Sequence, residues 1–221
     1  MKVGPLLLFD GAVARVDFDP ETHPGGLYRL LNSVVVPRPI AWVSTRSAGG
    51  VDNLAPHSFF TVSCADPPIV QFTSIGRKDS LANAKATGEL VVNLAPEPLF
   101  EQINATATDF PSDLDEFAEV GLEREPSRLV APPRVAGSPV ALECLLHGTR
   151  DLGTSVVVFG RVVLIAIEED VLVDGHPAIE RLRPLARLGR RQWSTIGEVR
   201  EIGRIKFRDW TGSPTGDENQ A

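Results

Sequence analysis

Between Ile40 and Leu94 the chain repeats one pattern: a short run rich in β-branched or aromatic residues, then a corner of proline, glycine or aspartate. Ile40 to Thr45 reads as a strand closed by the turn Ser47-Ala48-Gly49-Gly50. Ser58 to Cys64 and Ile69 to Ser74 read as two more strands around the corner Ala65-Asp66-Pro67-Pro68, and Leu90 to Leu94 as a fourth. Further on, Val140 to Thr149 and Thr154 to Glu168 form a hairpin about Asp151-Leu152-Gly153, with Gly160 marking a bulge or a bend. Short strands at this density, with only a few short helices, predict a mainly β chain closed or nearly closed into a barrel. No repeat and no linker divides residues 1–210, which read as one domain. The polar stretch 211–221 reads as a disordered tail.

The helical patterns are few. Tyr28 to Asn32 is a short candidate. A clear one runs from Asp79 to Thr87, where Asp79 or Ser80 can cap the start and Gly88 suits the exit. Glu97 to about Ala107 is another, with Leu99, Phe100 and Ile103 turned inward. Residues 108–138, rich in Pro, Asp, Glu and Arg, read as an excursion over the surface.

Composition narrows the function. With 221 residues, 43% of them hydrophobic, the chain can bury a core without metal or disulfide staples. Cys64 and Cys144 are expected as buried free thiols of a reducing compartment. A formal charge of −7 argues against nucleic acid or an anionic membrane as partner. The apolar run Leu6 to Phe9 is too short for a signal peptide or a span, so the chain is read as cytoplasmic, with no membrane contact. GxxxxGK[ST], GxGxxG, HExxH, paired CxxC and GxSxG patterns are all missing, and no metal site is expected.

Against that negative charge the sequence Arg77-Lys78-Asp79-Ser80, between a strand and a helix, stands out. Exposed amides at a helix start, with cationic side chains beside them, form a phosphate site. Polar loops and strands around it could wall in a flat ring, which points to a phosphorylated aromatic cofactor. Of the four histidines only His57, inside Ala55-Pro56-His57-Ser58, falls on the expected wall. Arg38, held extended between Pro37 and Pro39, either anchors its segment to an acid or meets the cofactor. Trp42 is expected in the core. Phe59 and Phe60 point to opposite faces, so at most one can touch the ring.

The ordered set Pro37-Arg38-Pro39-Ile40-Ala41-Trp42-Val43-Ser44-Thr45, Asn53-Leu54-Ala55-Pro56-His57-Ser58-Phe59-Phe60, Asp66-Pro67-Pro68 and Arg77-Lys78-Asp79-Ser80-Leu81-Ala82-Asn83 resembles the flavin reductase-like, FMN-binding split-barrel family. That family includes flavoredoxins and the reductase components of two-component monooxygenases. Gly160-Arg161-Val162-Val163 and Pro184-Leu185-Ala186-Arg187-Leu188-Gly189 are similar to its pattern too. The resemblance implies a split β-barrel, a homodimer, and FMN near the subunit interface. It places Ser44 and Thr45 near the ring or ribityl chain, and Asn53, Ala55, Pro56 and Ser58 along the ring edge or phosphate. Arg77, Lys78 and Ser80 would hold the phosphate. It further implies NAD(P)H as reductant, with a monooxygenase or other electron acceptor as partner. The alternatives are a flavoredoxin-like FMN carrier without a nicotinamide site and, further off, a barrel for another phosphorylated ring such as pyridoxal phosphate. Ile165-Ala166-Ile167 and Gly189-Arg190-Arg191 with Trp193 depart from the family pattern where a reductant or substrate could enter.

Overall fold

The structure is a computed structural model that describes residues 14–24, 26–207 and 210; the stretch 211–221 lies outside the described residues. In chain order the elements begin with α1 (Tyr28–Val34), β1 (Arg38–Pro39), β2 (Ala41–Arg46), β3 (Asp52–His57), β4 (Phe60–Cys64) and β5 (Ile69–Ile75). Then come α2 (Asp79–Thr87), β6 (Glu89–Leu94), a 3-10 turn at Glu97–Leu99, α3 (Phe100–Ala105), α4 (Glu116–Glu119), β7 (Arg124–Glu125) and β8 (Arg134–Val135). The long strands β9 (Val140–Leu152) and β10 (Ser155–Ile167) follow. The chain ends with β11 (Leu172–Val173), β12 (His176–Pro177), α5 (Ile179–Leu182), β13 (Ala186–Arg187) and β14 (Trp193–Ser194).

Seven strands form one antiparallel sheet in the order β3-β2-β6-β9-β10-β5-β4. Inward side chains from β2, β5, β6, β9 and β10 meet in one cluster that includes Ala41, Val43, Phe72, Leu90, Val158 and Leu81 of α2. A flat sheet could not bring those positions together, so the sheet curls around them. Among the described residues β3 pairs only with β2 and β4 only with β5, so the barrel stays open between these two edge strands. Most of the expected strands appear within two or three residues. The predicted bulge is present, since the β9–β10 register shifts between Phe159 and Gly160. There the backbone approaches so closely that a Cβ on Gly160 would lie 3.1 Å from Cys144 Cβ.

Four expectations change. The stretch Asn53-Leu54-Ala55-Pro56, to which the sequence assigned no strand, is part of the edge strand β3. Its outer side needs no ladder hydrogen bond, which is why Pro56 is tolerated. Residues 108–138 are more than a surface excursion. Phe117, Leu122 and Val135 are buried against Trp42 and Leu54 on the outer face of β2 and β3, where they form a second core with Ile103 and Leu185. The helix expected over 97–107 splits into the 3-10 turn and α3; Ile103 is fully buried, whereas Phe100 is 37% exposed. Cys64 and Cys144 are free, but only Cys144 is fully buried.

Candidate functional site

The open side of the barrel leads into a cavity of about 340 Å³, within the range of small-molecule and cofactor sites. One wall is β3 and the residues after it, from Asn53 to Phe59. The opposite wall is the strand-to-helix junction Arg77 to Ser80, and the loop after α3, with Asp109 and Phe110, closes the mouth. The sequence thus placed Asn53, Ala55, Pro56, His57, Ser58, Arg77, Lys78, Asp79 and Ser80 around one space, and the structure brings them there. As expected of neighbours on opposite faces, Phe59 lines the cavity and Phe60 packs on the core.

At the junction, Gly76 takes φ 77° and its N–H donates to Thr154 O, which turns the chain out of β5. The cap of α2 is Lys78, not Asp79 or Ser80, and no side chain accepts from the first-turn amides. Leu81 N–H donates to Lys78 O, which leaves the Asp79 and Ser80 amides for another acceptor. Gly88 ends the helix in the left-handed conformation, as the sequence required. Arg77 and Lys78 are exposed beside the helix start. Lys78 Nζ meets the Asp109 carboxylate, which it holds below the usual carboxylate range by hydrogen bonding and charge. Asp109 is 83% exposed, so this pair is a surface contact that a better-held anion can displace. A phosphorylated ring therefore fits: unfilled amides and two cations at one end, and a strand wall with aromatic and hydroxyl groups beside it.

The inner wall is a chain of hydrogen bonds. Asn53 Nδ2 donates to Glu116 Oε1 at 2.7 Å, and Leu54 N donates to Glu116 Oε2 at 3.0 Å. Ser80 Oγ donates to Asn53 Oδ1 at 3.0 Å and lies 3.3 Å from His57 Nε2. Glu116 reaches β3 because α4 is clamped there: Asp115 caps α4, and Arg124 bridges Asp115 to Asp52 at the start of β3. Burial raises the Glu116 pKa, and the negative charge of Asp79 adds to this, against the lowering effect of its hydrogen bonds. His57, tilted against Phe72 with ring centroids 4.5 Å apart, has its pKa lowered to about 4. Burial is the main cause and Lys78 adds to it, against an opposing contribution from the Thr73 carbonyl. His57 is therefore a neutral ring at physiological pH.

Three expected residues lie elsewhere. Arg38 is 8% exposed and outside the cavity lining. Its guanidinium donates to the carbonyls of Asn32, Val35 and Leu188, so it anchors its segment to main chain and not to an acid. Ser44 and Thr45 are fully buried. Ser44 Oγ donates to Pro133 O, and Thr45 Oγ1 lies between Asn53 Oδ1 and Asn83 Nδ2. Thr45 thus supports the wall from behind. Trp42 is core, with Nε1 donating to Thr106 Oγ1 at 2.9 Å. Arg187 lies 4.6 Å from the Trp193 ring, which meets Phe100 edge-on, so this pair packs the C-terminal segment. The sequence reading missed Glu116, Asp109 and Phe110; they sit in the segment it had assigned to the surface.

The flavin reductase like domain matches residues 33–183. An uncharacterised protein of Aquifex aeolicus is 36% identical over 194 residues, covering 85% of this chain and 96% of that protein. Among solved structures, nitrilotriacetate monooxygenase component B from Bacillus cereus superposes with a TM-score of 0.83 at 30% identity, over 86% of this chain and all of that one. The 2-nitrobenzoate 2-nitroreductase of Pseudomonas fluorescens gives 0.77 at 28% identity, over 84% and 93%. The curled, open seven-stranded sheet is the split β-barrel of such proteins, mainly β with short helices. On sequence and fold together, the chain belongs to the flavin reductase-like family.

Proposed function

We propose that this chain is an FMN-binding flavin reductase that transfers hydride from NAD(P)H to flavin. The observation that carries the reading is the junction at residues 76–80. There α2 begins without a side-chain cap and with two exposed cations, facing a cavity walled by β3 and the residues after it to Phe59. Bound FMN would supply the two-electron redox chemistry. The chain's own residues hold and shield it: Arg77, Lys78 and the first-turn amides of α2 hold the phosphate, Ser58 and the β3 wall line the ring, and Phe59 and Phe110 exclude water. Hydride transfer requires no nucleophile or general base from the protein, which suits a wall whose one histidine is neutral.

Tyr28, Leu31 and Val34 of α1 are all more than half exposed, and this supports a homodimer in which a second copy covers them. The Bacillus cereus neighbour is a monooxygenase component, and this supports a monooxygenase as electron acceptor. The test is anaerobic mixing of the FMN-loaded protein with NADH and with NADPH. Bleaching of the flavin band is expected with at least one of them. No bleaching with either would leave a flavoredoxin-like carrier, and a colourless protein that binds no FMN would remove the flavin reading altogether.

A further inference from the structure

Glu116 is buried, lines the proposed flavin cavity, and has no cation among its hydrogen-bond partners. Resting on the flavin reading above, we propose that Glu116 is a positioning residue that fixes the orientation of the Asn53 amide, and through it the donor–acceptor direction of the wall running from Asn53 through Ser80 to His57.

Counting protons along the wall gives that direction. A carboxylate only accepts, so the Asn53 atom 2.7 Å from Glu116 Oε1 is the amide nitrogen, and the amide oxygen faces Ser80 and Thr45. Ser80 has a single hydroxyl proton. If it went to His57, the oxygens of Ser80 and Asn53 would face each other at 3.0 Å with no proton between them. It therefore goes to Asn53, and Ser80 Oγ accepts from His57 Nε2–H, in competition with the Thr73 carbonyl, which also draws a ring proton. His57 is held in one tautomer by a carboxylate three hydrogen bonds away. Asn53 is left with a second amide proton for an acceptor in the cavity that it lines, such as a carbonyl or phosphate oxygen of the cofactor.

Glu116→Gln reverses this direction without changing shape. Leu54 N–H is fixed by the β3 main chain, so the substituted side chain must turn its carbonyl oxygen to Leu54 and its NH2 group to Asn53. Asn53 then has to flip. Its amide nitrogen would face Ser80, the Ser80 proton would pass to His57 Nε2, and His57 would carry its own proton on Nδ1.

The experiment is long-range 1H–15N correlation of 15N-histidine-labelled, flavin-free protein at pH 8, with His57 assigned by His57→Gln. The unaltered chain is expected to show Nε2–H at His57, and E116Q to show Nδ1–H. In parallel, FMN titration by quenching of flavin fluorescence is expected to weaken about tenfold in E116Q, since a cavity donor becomes an acceptor. Nδ1–H in the unaltered chain overturns the proposal by itself, even if E116Q does not fold. An unchanged tautomer in folded E116Q overturns it as well. Failure of FMN to bind the unaltered chain removes the flavin reading instead, and the tautomer measurement in flavin-free protein is independent of that result.

Discussion

Two buried glutamates of this chain have the same side chain and opposite surroundings. Glu143, on β9, is fully buried and bonded to the Arg134 guanidinium at 2.6 Å and to the main-chain N–H groups of Arg128 and Leu129. Burial pushes its pKa up, but those donors and the Arg134 charge outweigh that, and it sits below the usual range. Glu116 has two N–H donors and no cation, and burial raises its pKa. One carboxylate is neutralised where it holds two layers of the fold together. The other is left uncompensated where the cavity is.

The contrast is tested most severely at Arg134. Arg134→Ala leaves Glu143 buried without its cation and is expected to cost about 3–5 kcal/mol, read as a fall in denaturation midpoint. Glu116→Gln is expected to leave that midpoint nearly unchanged, because no ion pair is lost. Equal losses in the two variants would mean that both glutamates are structural. Next in size, Arg77→Ala with Lys78→Ala should weaken FMN binding by about 3 kcal/mol, roughly a hundredfold, by titration of flavin fluorescence. Unchanged affinity would place the phosphate elsewhere.

His57 extends the contrast to pH. Its folded pKa of about 4 lies below the ordinary value near 6.5, so between those limits the unfolded chain binds the extra proton. Stability from this group is complete above pH 6.5 and is lost as pH falls to 4. The loss is about 2 kcal/mol once partial exposure is discounted. A His57→Gln chain should show a flatter midpoint over that window. Glu116 has the reverse sign, since protonation relieves its burial. The smallest effect is Asp109→Asn, which frees Lys78 and should tighten FMN about threefold at low salt, with the gain fading as salt rises.

The difference between the two glutamates also marks what the sequence could reveal. The bounds of α2 were legible because Gly88 supplies an αL stop, and the proposed phosphate end was suggested by Arg77 and Lys78 at that helix start. Ser44 and Thr45 were expected at the cofactor because the family resemblance implied it. In fact the barrel core covers one side and the 108–138 layer the other, and β2 is buried almost throughout. Glu116 was hidden in an acidic, proline-rich stretch, where a lone glutamate reads as solvated. Its role depends on Arg124 drawing α4 onto β3, a contact 72 positions apart in sequence.

The closeness of Gly160 to Cys144 has a practical result. With the β10 backbone against it, the Cys144 thiol is raised to about 12 by burial, with the Glu143 charge adding to that, and it stays protonated and sealed from solvent. Cys64, half-buried on an edge strand, is then the one thiol within reach of an alkylating reagent. A maleimide dye added to the folded protein would attach there alone, giving a ready-made reporter on edge strand β4, at the end away from the cavity.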